Sequence, residues 1–474
     1  MLIRDVVIWG GPRADLRIRD GVIADIGNLP ARPGERIIEA NGGALLPGLH
    51  DHHIHLAAAA AAMDSVRCGP PQVHDAAGLA AALCRDGQGW LRGIGYHECV
   101  AGMPCREQID AMVADRPVRI QHRSGRMWFL NSLALETLLE LAEPPPGLER
   151  RAGRWTGRLF DEDAWLRRTL AGRPPALGTL SAGLAACGVT GVTDMSPGNG
   201  ADAAAWLRAE QASSRLLQHC VVAGREDLSG RTWPAGLSCG PVKLHLHDHA
   251  LPDPDAMAAT VAAAHARGRP VAVHCTTEVE LVFALAAIEA AGAAGGDRIE
   301  HAGIASDVLV AQVAQLGLQV VSQPQFIAER GDQYAKAIAR GQWPQLYRLR
   351  AFIDAGVTLA AGSDAPYGSN DPWAAMRAAV SRRTDSGIAI GPDEALTPEE
   401  AVRLYLCDPH DLARQRTVTI GAPADLCLLD RPWGQARDHL RTGMVRATIA
   451  RGRLVHDGVD EAPFERGLRA DAAA

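Results

Sequence analysis

Lysine is almost missing from this sequence: of 48 basic residues only Lys243 and Lys336 are lysines, leaving 46 arginines. Positive charge is not in excess either. The 55 acidic residues set the net charge at −7, so no overall positive field exists to hold a phosphate backbone, which argues against a nucleic-acid partner. No uncharged apolar run approaches the roughly 20 residues that cross a bilayer. The opening stretch from Met1 to Ile8 lacks a basic segment followed by a long apolar one. A cytoplasmic protein without membrane contact is therefore expected. Ten cysteines run from Cys68 to Cys427 with no Cys-x-x-Cys pair, against both a disulfide framework and a thiolate zinc site. No Gly-rich phosphate loop follows the first strand, and no internal repeat is visible.

What remains is an ordinary folded chain. With 474 residues, 47% of them hydrophobic and 22% charged, it has room for one large domain and a smaller companion. Residues 1–48 read as short strands punctuated by Gly10-Gly11, Asp20-Gly21 and Pro33-Gly34, and residues 415–460 have the same texture, so the two ends are expected to pair into one β domain. Residues 461–474 read as a weakly held tail. Between them, across 49–414, short apolar strands alternate with Ala-, Leu- and Arg-rich helical stretches, as in α/β proteins with parallel sheets. Strands are predicted at Leu45–Leu49, Val118–Gln121, Gly191–Asp194, Val242–His247, Val271–His274, Arg298–His301, Gln319–Ser322 and Thr358–Ala361. Eight such strands suggest a (β/α)8 TIM barrel with its chemistry at the C-terminal strand ends; an open doubly wound sheet fits the pattern as well.

Histidines punctuate those strand ends. His53 and His55 follow the first strand with one residue between them, so in extended geometry both rings point to one side and can chelate a metal. His274, His301 and Asp364 hold the same relative place on three other strands. If the barrel closes, four histidines and a carboxylate meet at one rim, a nitrogen and oxygen set suited to zinc, iron, nickel or manganese rather than calcium. Lys243 stands inside the apolar strand Val242-Lys243-Leu244, where a free ammonium is costly to bury. A neutral amine there can react with carbon dioxide to give a carbamate able to bridge two metals about 3.5 to 4 Å apart; a pairing with Asp248 is the other reading. His245 and His247 share the parity of Lys243 and are candidates for substrate contact or for its ligand role. Cys275 beside His274 reads as packing rather than as a thiol nucleophile.

Pro47-Gly48-Leu49-His50-Asp51-His52-His53-Ile54-His55, followed in order by Lys243, His274, His301 and Asp364, resembles the Pro-Gly-x-x-Asp-x-His-x-His signature of the metal-dependent amidohydrolase superfamily. The branch that includes N-substituted formamide deformylases is the more similar one, through segments such as Arg298-Ile299-Glu300-His301-Ala302 and Gly362-Ser363-Asp364-Ala365-Pro366. This resemblance implies a barrel with a β-sandwich made from both chain ends. It also implies two divalent ions, most simply zinc. His53 and His55 would bind one and His274 and His301 the other, with carbamylated Lys243 as bridge and Asp364 as ligand and proton shuttle. The implied reaction is hydrolysis of a C–N bond in an amide, N-formyl, N-acyl or cyclic amide compound by a metal-bridged hydroxide.

Two departures fall where substrate is expected. Ser124-Gly125-Arg126 replaces the branch's Asp-Gly-His, and Cys275-Thr276-Thr277-Glu278 replaces a small residue followed by Gly-Asp. Arg126, which can grip a carboxylate through a forked pair of hydrogen bonds, joins His97, Glu98 and Arg330 as an expected contact to a small-molecule substrate. Deamination or lactone hydrolysis on the same metals, and an inactive amidohydrolase-like scaffold, remain open as alternatives. A homo-oligomer is the expected assembly.

Overall fold

The computed structural model describes residues 1–70, 72–85, 87–170, 172 and 174–458, so the tail expected at 461–474 lies outside the described residues. The chain divides into two compact units: Met1–Leu56 with everything from Leu177 onward, and Ala57–Ala176.

The first unit holds eight parallel strands, β1 (Leu49–Ile54), β2 (Val189–Asp194), β3 (His219–Gly224), β4 (Leu237–His245), β5 (Val271–Cys275), β6 (Arg298–His301), β7 (Gln319–Ser322) and β8 (Leu359–Ala361), each hydrogen-bonded to the next in chain order. Segments just beyond β1 and β8 complete the ring. The Asp364 amide donates to the carbonyl of His53 at 2.7 Å and the His55 amide to that of Ala365 at 2.9 Å. The result is the expected TIM barrel. Every residue of β1 and β2 is buried, the pattern of strands covered on both faces.

Both chain ends share a second, mixed sheet in this unit. Leu2–Ile8 pairs with Arg13–Arg19 and runs parallel to Ala44–Pro47, which in turn lies antiparallel to Leu426–Leu429. The turn at Asp20-Gly21, with φ of 53° and 79°, closes the hairpin between Arg19 and Val22 in the two-residue form that these residue types favour. Ile3, Val6, Leu16, Leu45, Leu426 and Ile449 form the apolar core beneath it.

The second unit carries a six-stranded sheet of its own, ordered Leu148–Arg151, Arg154–Phe160, Met127–Leu130, Val118–His122, Leu91–Tyr96 and Val66–Arg67. Here two strand expectations need correction. Val118–Gln121 belongs to this sheet rather than to the barrel, and the strand that takes the missing place in the barrel is β3. A short apolar run identifies a buried strand without saying which sheet receives it. The stretch Leu45–Leu49 is also divided. Ala44–Pro47 stays in the end sheet, and the barrel begins at Leu49 after Gly48, where a Cβ would stand 2.2 Å from Oγ1 of Thr190. Among the described residues no helix is long and apolar enough to cross a membrane.

Candidate metal centre

The C-terminal ends of the barrel strands gather the residues singled out by sequence. His53 lies near the end of β1 and His55 just past it, Lys243 in β4, His274 in β5, His301 at the end of β6, and Asp364 three residues past β8. Among the described residues, one group of histidine and carboxylate atoms lies close enough to hold an ion. Its members are His53, His301 and Asp364, all buried, with one ligand atom of each within 4.8 Å of the others. His55 extends the group, its Nε2 lying 3.1 Å from Oδ1 of Asp364, while Nε2 of His53 lies 3.4 Å from the same oxygen. His274 comes next in line, its ring centroid 4.5 Å from that of His301 and 4.1 Å from that of His245.

Three of these imidazoles are held by Nδ1. The Nδ1 of His53 sits 2.5 Å from Oε2 of Glu300, that of His301 2.7 Å from Oε1 of Gln323, and that of His55 3.3 Å from Oγ of Ser196. For His53 and His301 such a contact leaves Nε2 as the lone-pair donor, the arrangement in which metal-binding histidines are oriented, while Nε2 of His55 faces Oδ1 of Asp364. Burial pushes His53, His274 and His301 below the ordinary histidine range, which favours the neutral, ligating form. Burial also disfavours the charge on Asp364. The hydrogen bond from His55 and the fields of His301, His53 and His55 outweigh it and hold the carboxyl below its usual range.

Nε2 of His53, Nζ of Lys243 and Nε2 of Gln323 are among the buried nitrogens in this region without a hydrogen-bond partner. Burial lowers Lys243, against the pull of Glu300 and Asp364, so its neutral amine is favoured relative to an exposed lysine. The same rim also carries local backbone strain. His301, Ala302 and Asp364 have φ of 74°, 47° and 51°, conformations that cost non-glycine residues on the order of 1–3 kcal/mol each. The Asp364 amide bonded to the carbonyl of His53 and the Gly303 amide bonded to that of Cys275 hold these turns in place.

Sequence reasoning passed over Glu300 and Gln323. The signal that marked Lys243, a charge inside an apolar strand, applies equally to Glu300 and to Arg298, whose Nε donates to Oε1 of Glu300 at 2.6 Å. Gln323 gave no such signal. Of the expected substrate contacts, Arg330 lies on the helix Gln325–Ala337, its guanidinium 3.9 Å from the ring centroid of Phe326 and donating to the carbonyl of Tyr367, whose ring meets His55 edge-on at 5.7 Å. Arg126, His97 and Glu98 belong to the second unit. Arg126 makes its forked pair of hydrogen bonds with Asp161, each 2.7 Å. His97 accepts from the amide of Cys99, and Glu98 lies 3.0 Å from Nε2 of His122. Cys275 is fully buried and its thiol pushed well up by that burial, which suits packing and not nucleophilic attack.

A family model described as "Amidohydrolase family" matches residues 36–456. The chain is 28% identical to the N-substituted formamide deformylase of Arthrobacter pascens, over 90% of this chain and 91% of that one. Its fold is similar to that of an uncharacterized metal-dependent hydrolase from Pyrococcus horikoshii, with a TM-score of 0.73 at 20% identity, covering 91% of this chain and 97% of the other. A metal-dependent hydrolase from Pyrococcus furiosus gives a TM-score of 0.70 at 21% identity over 91% and 98%.

Proposed function

The chain belongs to the amidohydrolase family, and from that premise we propose that it hydrolyses a C–N bond other than a peptide bond, in a small N-formyl, N-acyl or cyclic amide. The observation that carries this reading is the state of His53: a buried ring held at Nδ1 by Glu300 while its Nε2 makes no hydrogen bond, lies 3.4 Å from Oδ1 of Asp364 and groups with a ligand atom of His301. A bare lone pair in a buried nitrogen and oxygen set is what a divalent cation requires.

In the proposed site His53 and His55 would hold one ion and His274 and His301 the other, with Lys243, as its carbamate, and Asp364 supplying oxygen ligands. Two ions, zinc first among the candidates, match these ligand types. The carbamate forms when the neutral Nζ adds to the carbon of carbon dioxide and releases one proton, giving the otherwise unpartnered Lys243 nitrogen an anionic end. Bound divalent metal supplies Lewis acidity, polarising the substrate carbonyl and making water far more acidic than in bulk. Asp364, ionised at neutral pH, takes the proton of the attacking water at Oδ1 and delivers it to the departing nitrogen. His55 and His53 keep that oxygen in place. Arg330, through its contact with Tyr367, is assigned to substrate positioning. Arg126, His97 and Glu98 keep the same assignment on sequence grounds.

The reading is tested with a panel of N-formyl and N-acyl amines, cyclic amides and lactones, assayed for release of amine or acid. Amine release that is abolished by chelation and restored by a divalent metal is expected. Turnover confined to lactones, or amide turnover indifferent to chelation, overturns it.

A further inference from the structure

In the second unit the strands Leu91–Tyr96 and Val118–His122 run parallel, and their register sets Arg92 directly opposite Arg119. Like charges in that position repel. Both guanidinium carbons lie 5.5 Å from the ring centroid of Trp128, and that of Arg119 lies 5.7 Å from Trp90. These two arginines, with Arg85 and Arg116, line a cavity of about 360 Å³ on which Asp64 is the one acidic residue among those described.

Arg116 and Arg119 are satisfied differently from two buried arginines elsewhere in the fold. Arg17 and Arg298, both buried, each face a glutamate, Glu35 and Glu300. Arg116 instead donates to the backbone carbonyls of Gly89, Arg85 and Trp90. Nε of Arg119 is buried with no hydrogen-bond partner, and no carboxylate among the described residues pairs with this side chain. Burial first, and the neighbouring Arg92 second, push Arg119 down to about 10, so its charged form is held against the preference of its surroundings. An anion entering the cavity relieves both effects.

We propose that this cavity binds a phosphate-type dianion, free or carried by a small phosphomonoester, at a site made wholly of residues of the second unit. Adjacent strands lie about 4.8 Å apart, so two guanidinium forks side by side can share the oxygens of one tetrahedral oxyanion, for which the planar fork is well matched. The tryptophan rings restrain the guanidinium planes and limit what must be ordered on binding. This inference does not depend on the reaction proposed for the barrel.

The test is calorimetric titration of the full chain with inorganic phosphate and with glycerol phosphate, at constant ionic strength set with chloride. One saturable site per chain is expected. Arg119→Gln and Arg92→Gln should each weaken it at least about tenfold, and Asp364→Asn should leave it unchanged, which separates this site from any phosphate held at the metals. Equal affinity for the two probes identifies free phosphate as the ligand, and tighter binding of the ester identifies a phosphorylated metabolite. For a measurement that needs no variant, phosphate should protect Arg92 and Arg119 of the wild-type chain from phenylglyoxal, read by peptide mass spectrometry. No saturable binding, affinity unmoved in both arginine variants, binding lost in Asp364→Asn, or no protection overturns the proposal.

Discussion

Glu300 brings one carboxylate oxygen to 2.5 Å from Nδ1 of His53 and accepts a 2.6 Å hydrogen bond from Arg298 on the other. All three side chains are buried in the barrel, so the carboxylate both balances Arg298 and fixes which nitrogen of His53 is left as a lone-pair donor. Partners of this kind typically govern metal affinity by 10- to 100-fold. Glu300→Gln should therefore weaken metal binding by about that factor, measured by competition with a chromogenic chelator. Unchanged affinity would mean that His53 is oriented by something else.

Asp364 carries the proton in the proposed reaction. Asp364→Asn keeps the shape and one oxygen but cannot accept the proton, and should lower kcat by about 10²- to 10⁴-fold with folding preserved by circular dichroism. A rate close to that of the wild type would remove Asp364 from the chemistry.

Lys243 has no hydrogen-bond partner at Nζ, and the proposal gives it a carbamate. Lys243→Ala should lose turnover and metal content together, and acetate or propionate, which supply the two missing oxygens, should restore part of both. Lys243→Arg, which cannot form a carbamate, should not substitute. Full metal content in Lys243→Ala without added acid would show that Lys243 is no bridge.

Acid should destabilise the protein from about pH 6.5 downward. His50 and His52 are held well below the ordinary histidine range by burial first, and burial likewise lowers His219 to about 4. Below about 6.5 the unfolded chain protonates these rings while the folded chain resists, so the unfolded state binds more protons. Stability then falls as pH falls, by up to about 1.4 kcal/mol per pH unit for each group. Carboxylates held low, such as Asp364, add their loss only below about pH 4. Urea unfolding of metal-stripped protein should show a falling midpoint from pH 7 to pH 5; a flat midpoint would contradict the burial of these histidines.

Gly48 marks the passage from the end sheet into the barrel. A Cβ there meets Thr190 at 2.2 Å from Oγ1 and 2.3 Å from Cγ2, so Gly48→Ala should cost on the order of 1–3 kcal/mol, and adding Thr190→Ala should recover part of it. Denaturant unfolding of both variants checks this.

The residues of the proposed metal site were legible as candidates because their signal is local. His53 and His55 are spaced for one side of a strand, and His274, His301 and Asp364 each follow an apolar run. Lys243 stood out through composition. Gln323 was not legible, because its use depends on a neighbouring strand that brings Oε1 to Nδ1 of His301, a relationship between residues 22 positions apart. The fold divides similarly. The apolar runs were visible, but the sheet that each joins is decided by long-range pairing, so Val118–Gln121 was placed in the wrong sheet and β3 was overlooked. The register that sets Arg92 opposite Arg119 is of the same nature.

Metal stoichiometry tests the central claim most directly, by elemental mass spectrometry on protein purified without chelator. The account predicts about two divalent transition-metal ions per chain, falling sharply when His53 or His301 is replaced by alanine. A chain that holds none, even after metal supplementation, would contradict it and leave the barrel as a scaffold without this chemistry.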